Sequence, residues 1–387
     1  MIPMSSHRIL FLSPSMQGKG GVVEFCRMLV DNLGPDFQVD RLTIANRPGV
    51  RNPLRRAGHF IGDYFRLRKK LKESPRYSLC HLNPSFRILA LLRDGLYLRL
   101  IHRFYPGRIL VTFHGWDGRL LEKIRRIPLL RALLQNTLGK ARMILVLSEK
   151  FKSQLEETGY PAGKIKVVTT MYEEHFADRE DRTDQGPGER TGLVFVSRFI
   201  RCKGAHIAAE TVKLLVEGGY ANVHATLAGD GPEWEKVRNY VRENGLEEHI
   251  GMPGFVRGEE KRKTFEEGDI FFFPTYCQEG CPIVLLEAMG AGMAVVSTTM
   301  GAIPDIVREG NNGFLVEGEG RNPQEYADRI RGLLDDRRLM QKFQLQNQEE
   351  ARSKYRARMV AQKIQAFYSE VLAAAEADAE EPGSEIE

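Results

Sequence analysis

The sequence predicts an α/β protein built as two Rossmann-like halves, each a mostly parallel sheet with helices on both faces. Three observations predict it. Short apolar runs of strand length alternate with helical stretches through both halves of the chain. A glycine-rich loop, Pro14 to Gly21 (PSMQGKGG), joins the first apolar run to the first helical one, the opening of a unit whose backbone can approach an anion closely. The 387 residues suffice for two domains of ordinary size, and a polar, Gly/Pro-bearing stretch, 176–190, separates the two alternating runs.

In chain order, Arg8 to Ser13 reads as a buried strand and Val22 to Leu33 as the helix after the glycine loop. Gly18-Lys19-Gly20-Gly21-Val22 imitates a phosphate-binding P-loop, but Val23-Glu24-Phe25 follows where Ser or Thr is needed to reach magnesium. Strands are expected at Gln38–Ile44, Tyr77–Leu82, Arg108–Phe113, Met143–Leu147 and Lys164–Val168. Two stretches, Leu54 to Lys72 and Arg119 to Arg142, place apolar residues at helical spacing with dense Arg and Lys between them. Such helices pack on a sheet with a solvated basic face, or lie on a membrane surface. The second half repeats the alternation: strands at Leu193–Ser197, Val223–Ala228, Ile250–Phe255, Asp269–Phe273, Met293–Ser297 and Gly313–Val316, with a helix at Ala205–Glu217. Residues 322–375 read as helices, and the end of the chain (AAAEADAEEPGSEIE) as a disordered acidic tail.

The net charge of +5 conceals an asymmetry. Residues 1–180 hold 31 Lys and Arg against 16 Asp and Glu, and the remainder 25 against 35. A basic half points to an anionic surface. No nucleic-acid reader motif accompanies it, so an anionic membrane or a lipid-linked acceptor fits better than nucleic acid. No segment has the apolar length of a bilayer span. The start, MIPMSSHRILFLS, lacks a signal-peptide pattern, from which a cytoplasmic protein, at most at the inner face of the membrane, is expected. The five cysteines (Cys26, Cys80, Cys202, Cys277, Cys281) show no metal-ligand spacing and read as reduced structural thiols.

The chemistry concentrates in Pro274 to Met289, PTYCQEGCPIVLLEAM. Gly280 and Pro282 end an apolar strand and open a helix, since proline suits the first helical turn. The N–H groups of Ile283 and Val284 then sit at the positive helix end, which favours an anion. Glu279 precedes this helix mouth and Glu287 lies within the helix. A phosphate at the mouth with a carboxylate on either side describes a sugar-nucleotide site. An ordinary buried strand–turn–helix is the competing reading.

The same stretch, PTYxxEGCPIVLLEAMGAGMAVVST, resembles the donor signature of retaining glycosyltransferases of family four, with Cys281 in place of an aromatic residue and Ala294 in place of a proline. Arg198-Phe-Ile-Arg-Cys-Lys203-Gly204 resembles the family's G-R-x-x-x-x-K-G, with Ser197 for the first glycine. The resemblance implies the GT-B fold: two Rossmann-like domains facing across a cleft, with a C-terminal helix crossing back to the first. It divides the chain into an N-terminal acceptor domain at 1–175 with a crossover helix at 355–375, a linker at 176–190, a donor domain at 191–354 and a tail at 376–387. It further implies that Arg198 and Lys203 neutralise the departing diphosphate. Glu279 and His114 hold the transferred sugar, His114 by its Thr112-Phe113-His114-Gly115 setting. Glu287 holds the ribose, and Gly20, Gly21, Gly280, Cys281, Ile283 and Val284 line the donor. The chain departs from the family at Thr169 to Glu174, where Asn-Gly-Val is usual.

The expected activity is transfer of a sugar from a nucleoside diphosphate to a hydroxyl of a glycan or lipid-linked acceptor, with no metal and no cofactor beyond the nucleotide-sugar co-substrate. Two alternatives remain: an inert sugar-nucleotide-binding partner, and another GT-B enzyme such as an epimerase.

Overall fold

The computed structural model describes residues 7–18, 20–44, 52–73, 77–177, 190–318 and 320–380. Most of the stretch expected as a linker lies outside these residues, as do Lys19 and residues 381–387 of the expected tail. The chain forms two compact units, Met1–Thr170 with Ala357–Glu387, and Met171–Arg356.

The first unit holds a six-stranded parallel sheet in the order β2-β1-β3-β4-β5-β6, formed by β1 (His7–Ser13), β2 (Phe37–Thr43), β3 (Leu79–Leu82), β4 (Ile109–Thr112), β5 (Met143–Val146) and β6 (Ile165–Val167). Sheets covered on both faces need runs apolar in every position rather than alternating ones. Ile9 to Leu12 accordingly have no exposure at all. Helices α1 (Gly21–Asp31), α2 (Pro53–Glu73), α3 (Ile88–Phe104), α4 (Gly118–Arg126), α5 (Pro128–Leu138) and α6 (Glu149–Glu156) connect the strands. The stretch expected as one helix from Arg119 to Arg142 is two. Pro128 offers no N–H and forces Ile127 into an extended conformation (φ −110°, ψ 104°), so α4 stops and α5 starts afresh.

The second unit holds another six-stranded parallel sheet, order β12-β11-β10-β7-β8-β9. Its strands are β7 (Thr191–Val196), β8 (Val223–Ala228), β9 (Ile250–Gly254), β10 (Ile270–Phe272), β11 (Ala294–Thr298) and β12 (Gly313–Val316). Around it lie α7 (Ala205–Glu217), α8 (Trp234–Glu243), α9 (Gly258–Glu266), α10 (Ile283–Gly290), α11 (Pro323–Asp335) and α12 (Arg337–Lys354). Residues of the Thr169–Glu174 segment belong to this core: the backbone N–H of Tyr172 donates to Tyr355 O at 3.1 Å, and its ring lies against Gly290 at the end of α10.

The last helix, α13 (Ala357–Glu380), returns to the first unit's sheet. There the His81 ring on β3 joins Tyr368 Oη on α13 (2.7 Å) to Thr112 Oγ1 on β4 (2.8 Å), and Lys166 pairs with Glu370. Residues 376–380, expected in a disordered tail, continue this helix, and Arg142 pairs with Asp378 within it. Among the described residues no helix is long and apolar enough to cross a membrane.

Candidate functional site

In open parallel sheets a crevice forms at the carboxyl ends of the strands where the strand order reverses direction. In the second unit that point lies between β7 and β10, because the order runs β7-β8-β9 one way and β7-β10-β11-β12 the other. The loops leaving these two strands, 197–204 and 273–282, carry both sequence motifs. They lie against each other: Cys202 O accepts from Tyr276 N at 2.8 Å, and Thr275 Oγ1 stands 3.3 Å from it. Two glycines permit this closeness. A Cβ on Gly204 (φ +78°) would stand 2.1 Å from Pro274 O, and one on Gly301 (φ +62°) would stand 1.9 Å from Glu279 O.

The contact brings Lys203 and Glu279 together. Lys203 Nζ lies 2.5 Å from Glu279 Oε1 and 5.2 Å from the centre of the Phe273 ring. Thr275 Oγ1 donates to the same carboxylate oxygen at 2.6 Å. Glu279 is buried, as an acidic group can be only when paired and hydrogen-bonded. Arg198 differs: it is exposed at the head of its loop, and its guanidinium has no partner among the described residues. One cation is thus fixed and the other is available to an anion.

Gly280, partly exposed, and Cys281, buried, lead into α10. Pro282 precedes the helix in an extended conformation (φ −67°, ψ 116°), and the first intrahelical bonds leave the N–H groups of Ile283 and Val284 pointing out of the helix end. Glu287 lies in the second turn of α10 and is buried. Its Oε1 takes a hydrogen bond from Lys261 Nζ on α9 at 2.6 Å, while Oε2 is buried without a partner among the described residues. A buried carboxylate oxygen left open is an acceptor waiting for hydroxyl donors. Lys261 itself lies over the rings of Phe176 (5.4 Å) and Phe265 (5.9 Å).

Gly20, Gly21 and His114 belong to the first unit, whose own reversal point lies between β1 and β3. Gly20 and Gly21 are exposed at the start of α1. His114 follows β4, with its ring 4.5 Å from that of Phe25 on α1 and its Nε2 2.9 Å from Asn83 Oδ1 after β3. Because the Asn83 amide nitrogen donates to Leu12 O (3.3 Å), Oδ1 is the accepting atom and Nε2 carries the proton. Burial pushes the imidazole pKa from 6.5 down to about 3, so the ring is neutral and Nδ1 offers a lone pair.

The structure adds four groups that sequence reasoning did not name: Lys261, Thr275, Asn83, and a disulfide joining Cys202 to Cys277. The disulfide corrects the expectation of five reduced cysteines; Cys26, Cys80 and Cys281 remain buried thiols. The sequence carried no signal of that pairing, because the two partners lie 75 residues apart. Lys261 left none: nothing in the run Lys261-Arg262-Lys263 distinguishes it from a solvated helix face. Among the described residues, no three His, Cys, Asp or Glu side chains gather as a metal-ligand set.

Comparison with known proteins bears on the family and the fold. Residues 190–336 match the model of the glycosyl transferases group 1, and residues 12–172 that of glycosyltransferase family 4. WcaL of Salmonella typhimurium, named as a colanic acid biosynthesis glycosyltransferase, is 29% identical over 243 residues, 62% of this chain and 57% of its own length. The match thus spans little more than half of that relative. HepE of Anabaena, solved with UDP, superposes with a TM-score of 0.71 at 18% identity, covering 94% of this chain and all of that one. The sucrose-phosphate synthase of Thermosynechococcus elongatus does so with a TM-score of 0.74 at 18% identity over 95% of this chain. At such identities the superpositions speak for the fold, the two-domain GT-B architecture.

Proposed function

This chain belongs to glycosyltransferase family 4, and from that premise we propose that it transfers a sugar from a nucleoside diphosphate to a hydroxyl acceptor, with retention at the anomeric carbon and without a metal ion. The observation that carries the reading is the second unit's reversal point, where an open cation, a fixed cation and a helix N-terminus meet two buried carboxylates. Arg198, Lys203 and the N–H groups of Ile283 and Val284 would neutralise the diphosphate as the bond to the sugar breaks, which is where charge develops. Gly20, Gly21, Gly280 and Cys281 would line the donor, with backbone close to the diphosphate and the sugar. Glu279 would accept from hydroxyls of the sugar and the open Oε2 of Glu287 from the ribose. His114 would take a further sugar hydroxyl through Nδ1. The leaving phosphate then serves as base for the incoming hydroxyl on the same face, so no second carboxylate nucleophile is needed. For the domains, the reading keeps acceptor binding with the N-terminal half and donor binding with residues 191–354.

WcaL is named for colanic acid biosynthesis, and with that name beside it our reading is of a glycan or lipid-linked acceptor. The surface of the first unit supports an anionic membrane as the place where it is met. Ile61 and Phe65 on α2, Leu89, Leu92 and Leu96 on α3, and Leu129 on α5 are exposed, Leu89 by 79% and Leu129 by 77%. Exposed large apolar side chains on neighbouring helices suit an interaction surface, and the Arg and Lys residues on these helices complement anionic lipid.

The test is a thermal-shift and transfer screen with UDP-, GDP- and ADP-sugars, because a ligand that binds the native state raises the melting temperature. Binding of one nucleotide sugar and transfer with a retained anomeric configuration are expected without added metal. Turnover of the donor with no second substrate, to an epimer, would replace the proposal with an epimerase.

A further inference from the structure

Covalent as well as hydrogen bonds join the two loops that carry Lys203 and Glu279. Cys202 directly precedes Lys203, and Cys277 stands two residues before Glu279. Their Cα atoms are 5.2 Å apart, within the span of a disulfide, and the bond links positions 75 residues apart in sequence. It therefore ties the end of one strand–loop unit to the end of another across the reversal point. Loop 273–282 has no helix or strand of its own between β10 and α10. Its other anchors include hydrogen bonds from Tyr276 N to Cys202 O, from Thr298 Oγ1 to Thr275 O at 2.9 Å and from Ala302 N to Glu279 O at 3.1 Å, and the Lys203–Glu279 pair itself. Access differs sharply among the cysteines. Cys202 and Cys277 are half-buried, whereas Cys26, Cys80 and Cys281 are buried, and burial drives the Cys26 and Cys80 thiols far above their ordinary pKa. The bonded pair is thus more open to a soluble thiol than the other cysteines, and Cys26 and Cys80 are poor competitors for exchange.

We propose that the Cys202–Cys277 disulfide is a thiol-responsive clamp that positions Lys203 against Glu279, so that the bond is a positioning element of the donor site and its reduction lowers turnover. The inference rests on the reading of this site as the donor site. The exchange balances with a dithiol as reductant. Its first thiolate attacks one cysteine sulfur, displacing the other as thiolate and forming a mixed disulfide. Its second thiolate closes the reagent's own disulfide and releases the first cysteine. Two electrons pass from reagent to protein, the two protein thiolates take up the two protons, and oxidised dithiol reverses the step. With the clamp open, loop 273–282 keeps its hydrogen bonds but loses its covalent register. Misplacing a positioned group by about an ångström costs on the order of 100-fold in rate.

The experiment uses the full chain in oxidised and dithiol-reduced form. Alkylation under denaturing, non-reducing conditions should label Cys26, Cys80 and Cys281 in the first and all the cysteines in the second. The expected kinetic result is a kcat lower by roughly 10- to 100-fold on reduction, with KM for the nucleotide sugar changed much less, and recovery on reoxidation. The double variant Cys202→Ser/Cys277→Ser should have the reduced enzyme's kcat and no response to dithiol. A lower melting temperature on reduction with kcat and KM unchanged would overturn the proposal, leaving the bond a mere staple. So would a dithiol response that survives in the double variant, or labelling of Cys202 and Cys277 after treatment with oxidised dithiol. Hydrogen exchange of the amides of 275–281 separates this inference from the functional one. Faster exchange on reduction is expected whether or not any sugar nucleotide turns over, and equal exchange in both forms overturns the clamp even in an active enzyme.

Discussion

The two units solve the same topological problem with opposite chemistry. Each places loops at the carboxyl ends of two strands where the sheet order reverses, β1 and β3 in the first unit and β7 and β10 in the second. In the second unit those loops carry charge: Lys203 against Glu279, Arg198 open, and Glu287 held by Lys261 through one oxygen. In the first unit the described side chains at that point are neutral, the Asn83 amide and an uncharged His114, beside a glycine-rich turn whose Lys19 lies outside the described residues. A diphosphate must be matched by cations and helix dipoles, whereas sugar hydroxyls need only aimed donors and acceptors. On the proposed function, charge neutralisation would fall to the second unit and orientation of the sugar to the first, and each of the following measurements could break that division.

The largest effect is expected from the two cations. Arg198→Ala and Lys203→Ala should each cost about 2–4 kcal/mol of transition-state stabilisation, as loss of one oxyanion donor does, or roughly 30- to 1,000-fold in kcat. Their stabilities should diverge. Arg198 is exposed and has no side-chain partner among the described residues, so its variant should melt with the wild type. Lys203→Ala leaves the buried Glu279 without its cation and should lower the melting temperature as well. Near-wild-type kcat in both variants would remove the second unit from charge neutralisation.

Next come the carboxylates, which the structure holds in different ways. Glu279 Oε1 is already satisfied by Lys203 and Thr275, and Glu287 Oε2 is buried and open. Glu287→Gln should weaken calorimetric affinity for the free nucleoside diphosphate by about 1.5–3 kcal/mol, the size of a hydrogen bond to a charged group. Glu279→Gln should leave that affinity nearly intact and lower kcat on the intact donor. Equal losses of diphosphate affinity in the two variants would show that the pair does not divide between sugar and ribose.

How much of this was legible in the sequence follows from the same contrast. The sheets were readable because both are covered on two faces, so strands such as Ile9–Leu12 and Ile270–Phe272 appear as unbroken apolar runs. The Arg198–Lys203 and Glu279–Glu287 runs were readable because each is one contiguous stretch of chain. Partners supplied by a distant element were not. Lys261 reaches Glu287 from a different helix, Asn83 reaches His114 from a different strand, and the disulfide spans 75 residues. The break at Pro128 was visible as a residue, but the apolar spacing on either side of it continued in phase and concealed the stop.

A smaller effect is expected at the surface of the first unit. Ile88, Leu91, Ile124, Leu130, Leu133 and Leu134 line an apolar groove between α3, α4 and α5, flanked by exposed Lys123 and Arg126. Co-sedimentation with anionic vesicles should fall as salt rises, since screening acts over about 10 Å at 0.1 M. Lys123→Gln should weaken it by no more than about 1 kcal/mol, near fivefold. Equal binding to neutral vesicles, or none to either, would leave these helices as packing elements and take the membrane out of the contrast.

The smallest expected effect is an absence of titration, and it tests the neutral half of the comparison directly. His114 has its pKa lowered from 6.5 to about 3 by burial, with Asn83 accepting from Nε2. Between those values the unfolded chain binds a proton that the folded one does not. The stability this side chain contributes is therefore complete above pH 6.5 and is lost as pH falls toward 3. In the folded protein the ring stays uncharged across the neutral range, with Nδ1 ready to accept from a hydroxyl throughout. The C2 proton resonance of His114, assigned by its loss in His114→Asn, should stay fixed from about pH 8 to about pH 5, where an unperturbed histidine would titrate near 6.5. His114→Asn should reduce kcat/KM by a factor that is the same at both ends of that range. A resonance with a midpoint between about pH 6 and pH 7 would mean that His114 takes up charge near neutral pH, and the neutral half of the contrast would fall.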